Sequence, residues 1–121
     1  MNINEEKIFL KKQLQLGIEK LNRNIIKEAI GYFNKIISIR PNHSQTINLI
    51  GICYLKLKEY TFAIEYFEKA ISIDPNQEGY YINLGNTFKE LKKFKLSLET
   101  YEKGLKLNIN KSLFLKQIGL L

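Results

Sequence analysis

Few residues in this chain could do chemistry, and their spacing does not assemble them. His43 is the only histidine and Cys53 the only cysteine. A metal site or a catalytic relay needs partners at defined separations, and none is supplied around either residue. His43 therefore reads as a solvent-exposed loop residue. Cys53 precedes Tyr54 in a segment of helical pattern, and without a nearby base a packed or partly buried thiol is expected. The carboxylates Glu65, Glu68, Glu99 and Glu102 stand at helical spacing beside lysines. That spacing reads as intrahelical ion pairing, not as a general acid and base. No glycine-rich phosphate loop, GxSxG or HExxH pattern occurs. These residues give no reason to expect an enzyme, a metal or a cofactor.

Composition narrows the elements that could position anything else. Of 121 residues, 45% are apolar and 26% charged, a balance that suits one globular domain with a real core. Two prolines, seven glycines and no tryptophan leave little room for a loop-rich or all-β fold. A lone cysteine excludes a disulfide framework, so a reducing, cytoplasmic location is the simplest. The opening "MNINEEKIFLKKQ" lacks the pattern of a secretion signal. No apolar run approaches the ~20 residues of a membrane helix. Nineteen basic against twelve acidic residues give a net charge of +7, which would suit nucleic acid. Yet the basic residues are spread along the chain beside acidic ones, as in "EYFEK" and "KELKK". That is the pattern of solvated helix faces, and a nucleic-acid partner is not expected.

A repeat organises the chain. Gly17, Gly51, Gly85 and Gly119 are spaced 34 residues apart. Leu16, Ile50, Leu84 and Ile118 keep the same step, as do Ala29, Ala63 and Ser97, and Phe33, Phe67 and Tyr101. Aligning 10–43 with 44–77 gives 13 identities, which marks an internal duplication. Within each unit the period is helical: Ala63, Ile64, Phe67, Ala70 and Ile71 form one apolar stripe, and Ile47, Ile50, Gly51, Tyr54 and Leu55 another. "KLKEY" is a tight polar turn between them, and "RPN" and "DPN" stop the second helix at Pro41 and Pro75. Each unit is a helical hairpin with apolar residues on more than one face, so the hairpins must stack. Glycine inside a helix costs ~1 kcal/mol relative to alanine. At Gly51 that cost is offset if small residues there and at Ala63 let two helix backbones approach, with Tyr54, Leu55, Phe67 and Ile71 filling the space around them. Ala70 is expected to play the same part against the next hairpin.

These residues resemble the tetratricopeptide repeat, a 34-residue helix–turn–helix unit, over about residues 10 to 121. The second unit carries the pattern through Ile50-Gly51, Tyr54, Tyr60, Ala63, Phe67, Ala70 and Pro75. The third carries it through Tyr81, Leu84-Gly85, Phe88, Phe94, Tyr101, Ser97 and Gly104, and the first through Leu16-Gly17, Ala29, Phe33 and Pro41. The resemblance implies an all-α fold, a right-handed α-solenoid of antiparallel helix hairpins. The units are 10–43, 44–77 and 78–111, preceded by a helical lead-in over 1–9. A truncated fourth repeat or capping helix is expected over 112–121. Three positions depart from the pattern: Lys20 replaces an aromatic, Ile36 a small residue, and Ile109 the proline. At Ile109 the third helix pair is expected to run on or to end in a softer loop.

The resemblance also implies a site. First helices of such hairpins line a concave groove that holds a segment of another protein. Carried over residue by residue, the groove positions are Lys11, Leu14, Gln15 and Ile18, then Gln45, Asn48, Leu49 and Ile52, then Ile82, Asn83 and Asn86. Members that grip chaperone carboxylates carry Lys, Arg and Asn where this chain has Leu14, Ile18, Leu49, Gly79 and Asn83, so that mode is not expected. An asparagine ladder is only partial, as Gln15, Leu49 and Asn83. The mixture favours an amphipathic helix or an apolar-anchored peptide; the other reading is that Leu14, Ile18, Leu49 and Ile52 complete the hairpin packing.

The expected function is a protein-interaction scaffold, with a repeat-bearing arm of a larger glycosyl- or sulfotransferase-like enzyme as the alternative. The terminal "KSLFLKQIGLL" carries Leu113, Phe114, Leu115, Ile118, Leu120 and Leu121. Such a stripe is expected partly to cover the third hairpin and partly to lie exposed. That implies either a longer natural chain or end-to-end self-association.

Overall fold

The computed structural model describes residues 1–119, the side chain of Phe114 excepted. Leu120 and Leu121 of the expected terminal stripe lie outside the described residues. Among the described residues there are six helices and no strand: α1 (Ile3–Asn22), α2 (Ile26–Ile39), α3 (Ser44–Lys56), α4 (Tyr60–Ile73), α5 (Glu78–Glu90) and α6 (Phe94–Gln117). They pair in order, α1 with α2, α3 with α4 and α5 with α6, and the pairs stack through α2 on α3 and α4 on α5. This is an α-solenoid of helical hairpins.

The first helix opens on Asn2, whose side-chain oxygen accepts the Glu5 backbone N–H at 2.8 Å. Glu5 and Glu6 in the first turn complement the positive end of the helix. Within each hairpin the turn follows one geometry. Asn24, Lys58 and Lys92 all stand at φ 61°, 34 residues apart. At each, the backbone folds back on the helix it leaves: Asn24 N–H donates to Leu21 at 3.0 Å and Ile25 N–H to Lys20 at 2.8 Å, with the matching pairs at Lys58 and Lys92. This is the Schellman arrangement, which satisfies the last free carbonyls and normally places glycine at the left-handed position. The chain uses two lysines and an asparagine there instead.

The core is a series of small clusters, each bridging neighbouring helices. Leu21, Ile26, Ala29, Phe33, Ile36, Ile50 and Cys53 join the first hairpin to α3. Ile47, Ala70 and Tyr80 join the second hairpin to α5, so Ala70 packs towards the next hairpin as expected. Ala63, Phe67 and Leu84 form the third cluster. A solenoid has no single centre; each unit is stabilised by its neighbours.

The glycine positions are tight, but their main partner differs from the expectation. A Cβ on Gly51 would lie 2.6 Å from the Phe67 ring, and one on Gly85 would lie 2.5 Å from the Tyr101 ring; Gly17 meets Phe33 in the same way. What needs the glycine is an aromatic face laid on the helix backbone, more than an approach to Ala63. The third hairpin adds a polar clasp at the same crossing: the Ser97 hydroxyl, standing where Ala29 and Ala63 stand, donates to the Gly85 carbonyl at 2.8 Å.

Helix α6 runs on past Ile109, one of the two outcomes expected there, and so crosses the expected division at 112. It runs unbroken from Phe94 to Gln117, so no separate helix begins at 112. The cause is at Ile109: without a proline, nothing removes a donor or clashes with the preceding turn. Of the terminal stripe, Leu113 and Ile118 are exposed and Leu115 is half-buried.

Candidate functional site

On the face shared by the first helices, α3 touches α5 directly. The contact includes a side-chain hydrogen bond in which the Asn83 amide donates to Asn48 Oδ1 at 3.0 Å. Two expected groove residues from successive repeats are thus brought together. Around them Gln45 and Ile82 are exposed, and Lys11 and Gln15 are exposed on α1. Leu14, Ile18, Leu49 and Ile52 are half-buried and pack against the first core cluster. They serve the hairpin interior while leaving part of each side chain accessible. Asn86 faces another way: its Oδ1 accepts the Tyr101 hydroxyl of α6. A tyrosine at a position that holds phenylalanine in the other repeats needs a partner for its hydroxyl, and Asn86 supplies it.

Two expectations about individual side chains are corrected. His43 is half-buried and not a free loop residue. Its Nδ1 accepts the Thr46 backbone N–H at 3.3 Å and lies 2.6 Å from the Thr46 hydroxyl, so it caps α3. The anticipated pairing of Glu65, Glu68, Glu99 and Glu102 with lysines is also not found. Among the described residues the ion pairs are Lys20–Glu28 at 4.0 Å, Arg23–Glu19 at 3.7 Å and Arg40–Glu6. Exposed pairs gain little against the entropy of holding two long side chains, so lysines on α4 and α6 stay solvated.

Cys53 is fully buried, and burial pushes its thiol up to about 11. A thiol kept protonated and out of solvent is a poor nucleophile. Among the described residues, no group of three His, Cys, Asp or Glu side chains could hold a metal ion. None of the described helices is long and apolar enough to cross a membrane.

Some features were missed in the sequence. Gln13 is buried, and its Oε1 has no partner among the described residues. Its position, one step before the Ile47 of the next unit, is the only available signal. Tyr54 of α3 stacks with Tyr66 of α4, ring centroids 5.4 Å apart, and meets Phe62 at 5.3 Å. Spacing did not announce this aromatic layer, since one repeat later Phe88 is joined at the matching places by Thr100 and Leu96.

Comparison with known proteins agrees with this geometry. Tetratricopeptide repeat models match residues 44–77 and 79–111, together more than half of the chain. No curated protein matches the sequence. Among solved structures, MamA superposes with a TM-score of 0.80 at 21% identity, over 85% of this chain and 60% of that one. The Sgt2 tetratricopeptide domain from Aspergillus fumigatus gives 0.78 at 24% identity, covering 84% and 67%. The second tetratricopeptide domain of Spaghetti (RPAP3), bound to the HSP90 peptide SRMEEVD, gives 0.78 at 18%, covering 88% and 99%. At these identities the likeness establishes a shared fold. The chain spans about three fifths of the length of the MamA structure.

Proposed function

The chain belongs to the tetratricopeptide repeat family, and from that premise we propose that it is a protein-interaction scaffold without catalysis of its own. Its ligand is an amphipathic helix or apolar-anchored peptide, held on the face shared by α1, α3 and α5. The observation that carries this reading is the Asn83–Asn48 hydrogen bond. It makes one continuous surface of two repeats, with amides at its centre and Leu49, Ile52 and Ile82 around them. Such a surface offers hydrogen bonds to a backbone and apolar contact to alternate side chains.

The domain of Spaghetti named above holds a peptide rich in acidic residues. A grip of that kind relies on cationic and amide side chains, whereas the corresponding positions here are Leu14, Ile18, Leu49, Gly79 and Asn83. Peptide binding is carried over as a mode; the acidic tail is not. A buried, unpaired Cys53 fits the cytoplasmic location expected from the sequence.

The test is selection of amphipathic peptides from a displayed library on the intact chain, followed by Ile82→Arg and Gln45→Arg. Both residues are exposed, so neither change should disturb the fold. Binding lost in Ile82→Arg with unchanged helicity and melting midpoint is the expected result. Affinity indifferent to both changes would remove this face as the site. Leu49→Glu is a poorer probe, because Leu49 packs against the core and the change should also lower stability.

A further inference from the structure

Residues of α4, α5 and α6 line a cleft of about 360 Å³. That lies at the small end of ligand clefts, which run ~300–1,000 Å³. Ile71 of α4, Leu84 and Phe88 of α5, and Leu96 and Thr100 of α6 form its apolar part. One repeat earlier, the chain itself lays a ring into the matching groove and leaves a smaller cavity of about 250 Å³ along Phe62, Glu65, Tyr66 and Lys69. There Tyr66 stacks on Tyr54 beside Phe62 and packs against the first and second core clusters.

The difference is a matter of side-chain size at fixed register. Thr100 stands 34 residues after Tyr66, Leu96 after Phe62, and Phe88 after Tyr54. Phe88 thus retains the stacking surface while the ring that should lie on it has been reduced to a threonine. Thr100 is buried, and its hydroxyl is satisfied by the Leu96 carbonyl at 2.7 Å, so it does not reach into the space. Exposed Glu68 of α4 and exposed Glu99 and Lys103 of α6 complete the lining. The lining therefore has an acidic excess in a chain whose net charge is +7.

We propose that this cleft receives an aromatic side chain of a partner polypeptide, stacked on Phe88 in the place that Tyr66 fills internally one repeat earlier, with a basic residue beside it at Glu68 and Glu99. The occupant is taken as a protein side chain because the geometry is that of one, already filled by a tyrosine within this chain. The site is independent of the inner face, and no residue of the Asn48–Asn83 surface contributes to it.

The experiment is a titration of the isotopically labelled chain with N-acetyl-lysyl-tyrosinamide, followed by amide chemical shifts. Saturable shifts centred on Ile71, Leu84, Phe88 and Thr100 are expected, together with their loss in Thr100→Tyr, which supplies the ring from within. Should Thr100→Tyr fail to fold, Leu96→Phe fills the same space from one turn earlier on the same face of α6 and is read in the same way. Glu99→Gln is expected to weaken the lysyl peptide more than N-acetyl-tyrosinamide. Absence of saturable shifts up to the solubility limit of the probe, or shifts undiminished in the filled variants, would overturn the proposal. So would p-cresol binding as tightly as the peptide, which would make this a site for free small aromatics. Shifts centred on Asn48 and Asn83 would assign the peptide to the inner face instead and would equally overturn it.

Discussion

The ring of Phe67 lies on the backbone of α3 at Gly51, so close that a Cβ there would stand 2.6 Å from ring carbon Cε1. Phe67 is fully buried and cannot swing away. Gly51→Ala should recover the ~1 kcal/mol that glycine costs in a helix, yet lose ~1–3 kcal/mol to overpacking. A lower melting midpoint is expected. In a Phe67→Leu background the same change should become neutral or stabilising, and the difference between backgrounds measures the contact. Equal effects in both would show that the ring is not what requires the glycine.

Gln13→Met should raise stability. The side chain is 7% exposed, and its Oε1 is buried without a partner among the described residues. An unsatisfied buried acceptor costs ~1–3 kcal/mol, and methionine keeps the volume while removing the polar atom. The check is the urea midpoint of the two chains. A fall on substitution would mean that the amide is satisfied after all.

Lys58→Asn and Lys92→Asn should each stabilise. Both lysines hold φ 61° at the turn inside a hairpin. The left-handed region costs an ordinary residue roughly 1–2 kcal/mol, and asparagine relieves part of it by hydrogen bonding locally. Asn24 already stands at the equivalent turn with the same φ of 61°. The reverse change, Asn24→Lys, should therefore lower the melting midpoint by a similar amount.

Stability should fall above pH 9.0 on account of Cys53. Burial holds its thiol protonated to about 11 in the folded chain, against 9.0 ordinarily. As pH rises past 9.0 the unfolded chain releases this proton first, so unfolding is favoured until the folded thiol also ionises near 11. The contribution is read as the difference between wild type and Cys53→Ala across that range, since other groups titrate there too. A difference that does not vary with pH would show that the thiol reaches water in the folded state.

The fold was legible because its signals repeat. Gly51 and Phe67 recur with Gly17 and Phe33, and with Gly85 and Tyr101, and three copies of one spacing outweigh any single ambiguous residue. The face shared by α3 and α5 was partly legible: Asn48 and Asn83 do meet, but nothing at Asn86 announced that the hydroxyl of Tyr101 would claim it. His43 looked like loop because its capping role depends on which way Nδ1 turns towards Thr46, and histidine is not among the strongly preferred caps. The carboxylates of α4 and α6 illustrate the opposite failure. Favourable spacing was present, and solvation outcompeted it. Thr100 could have been noticed by subtracting one repeat from the next, since the informative quantity there is a lost ring.

Helix α6 is 24 residues long and its partner α5 only 13, or ~36 Å against ~20 Å. The last turns of α6, from 110 to 117, project past the hairpin, with Ile109 49% and Leu113 55% exposed. Short helices without tertiary support are marginal in water. Their amide protons should therefore trade with deuterium long before those of α3 and α4, which are flanked on both sides. Unravelling of the chain would begin at that unsupported spar and travel inward, one hairpin losing its neighbour at a time.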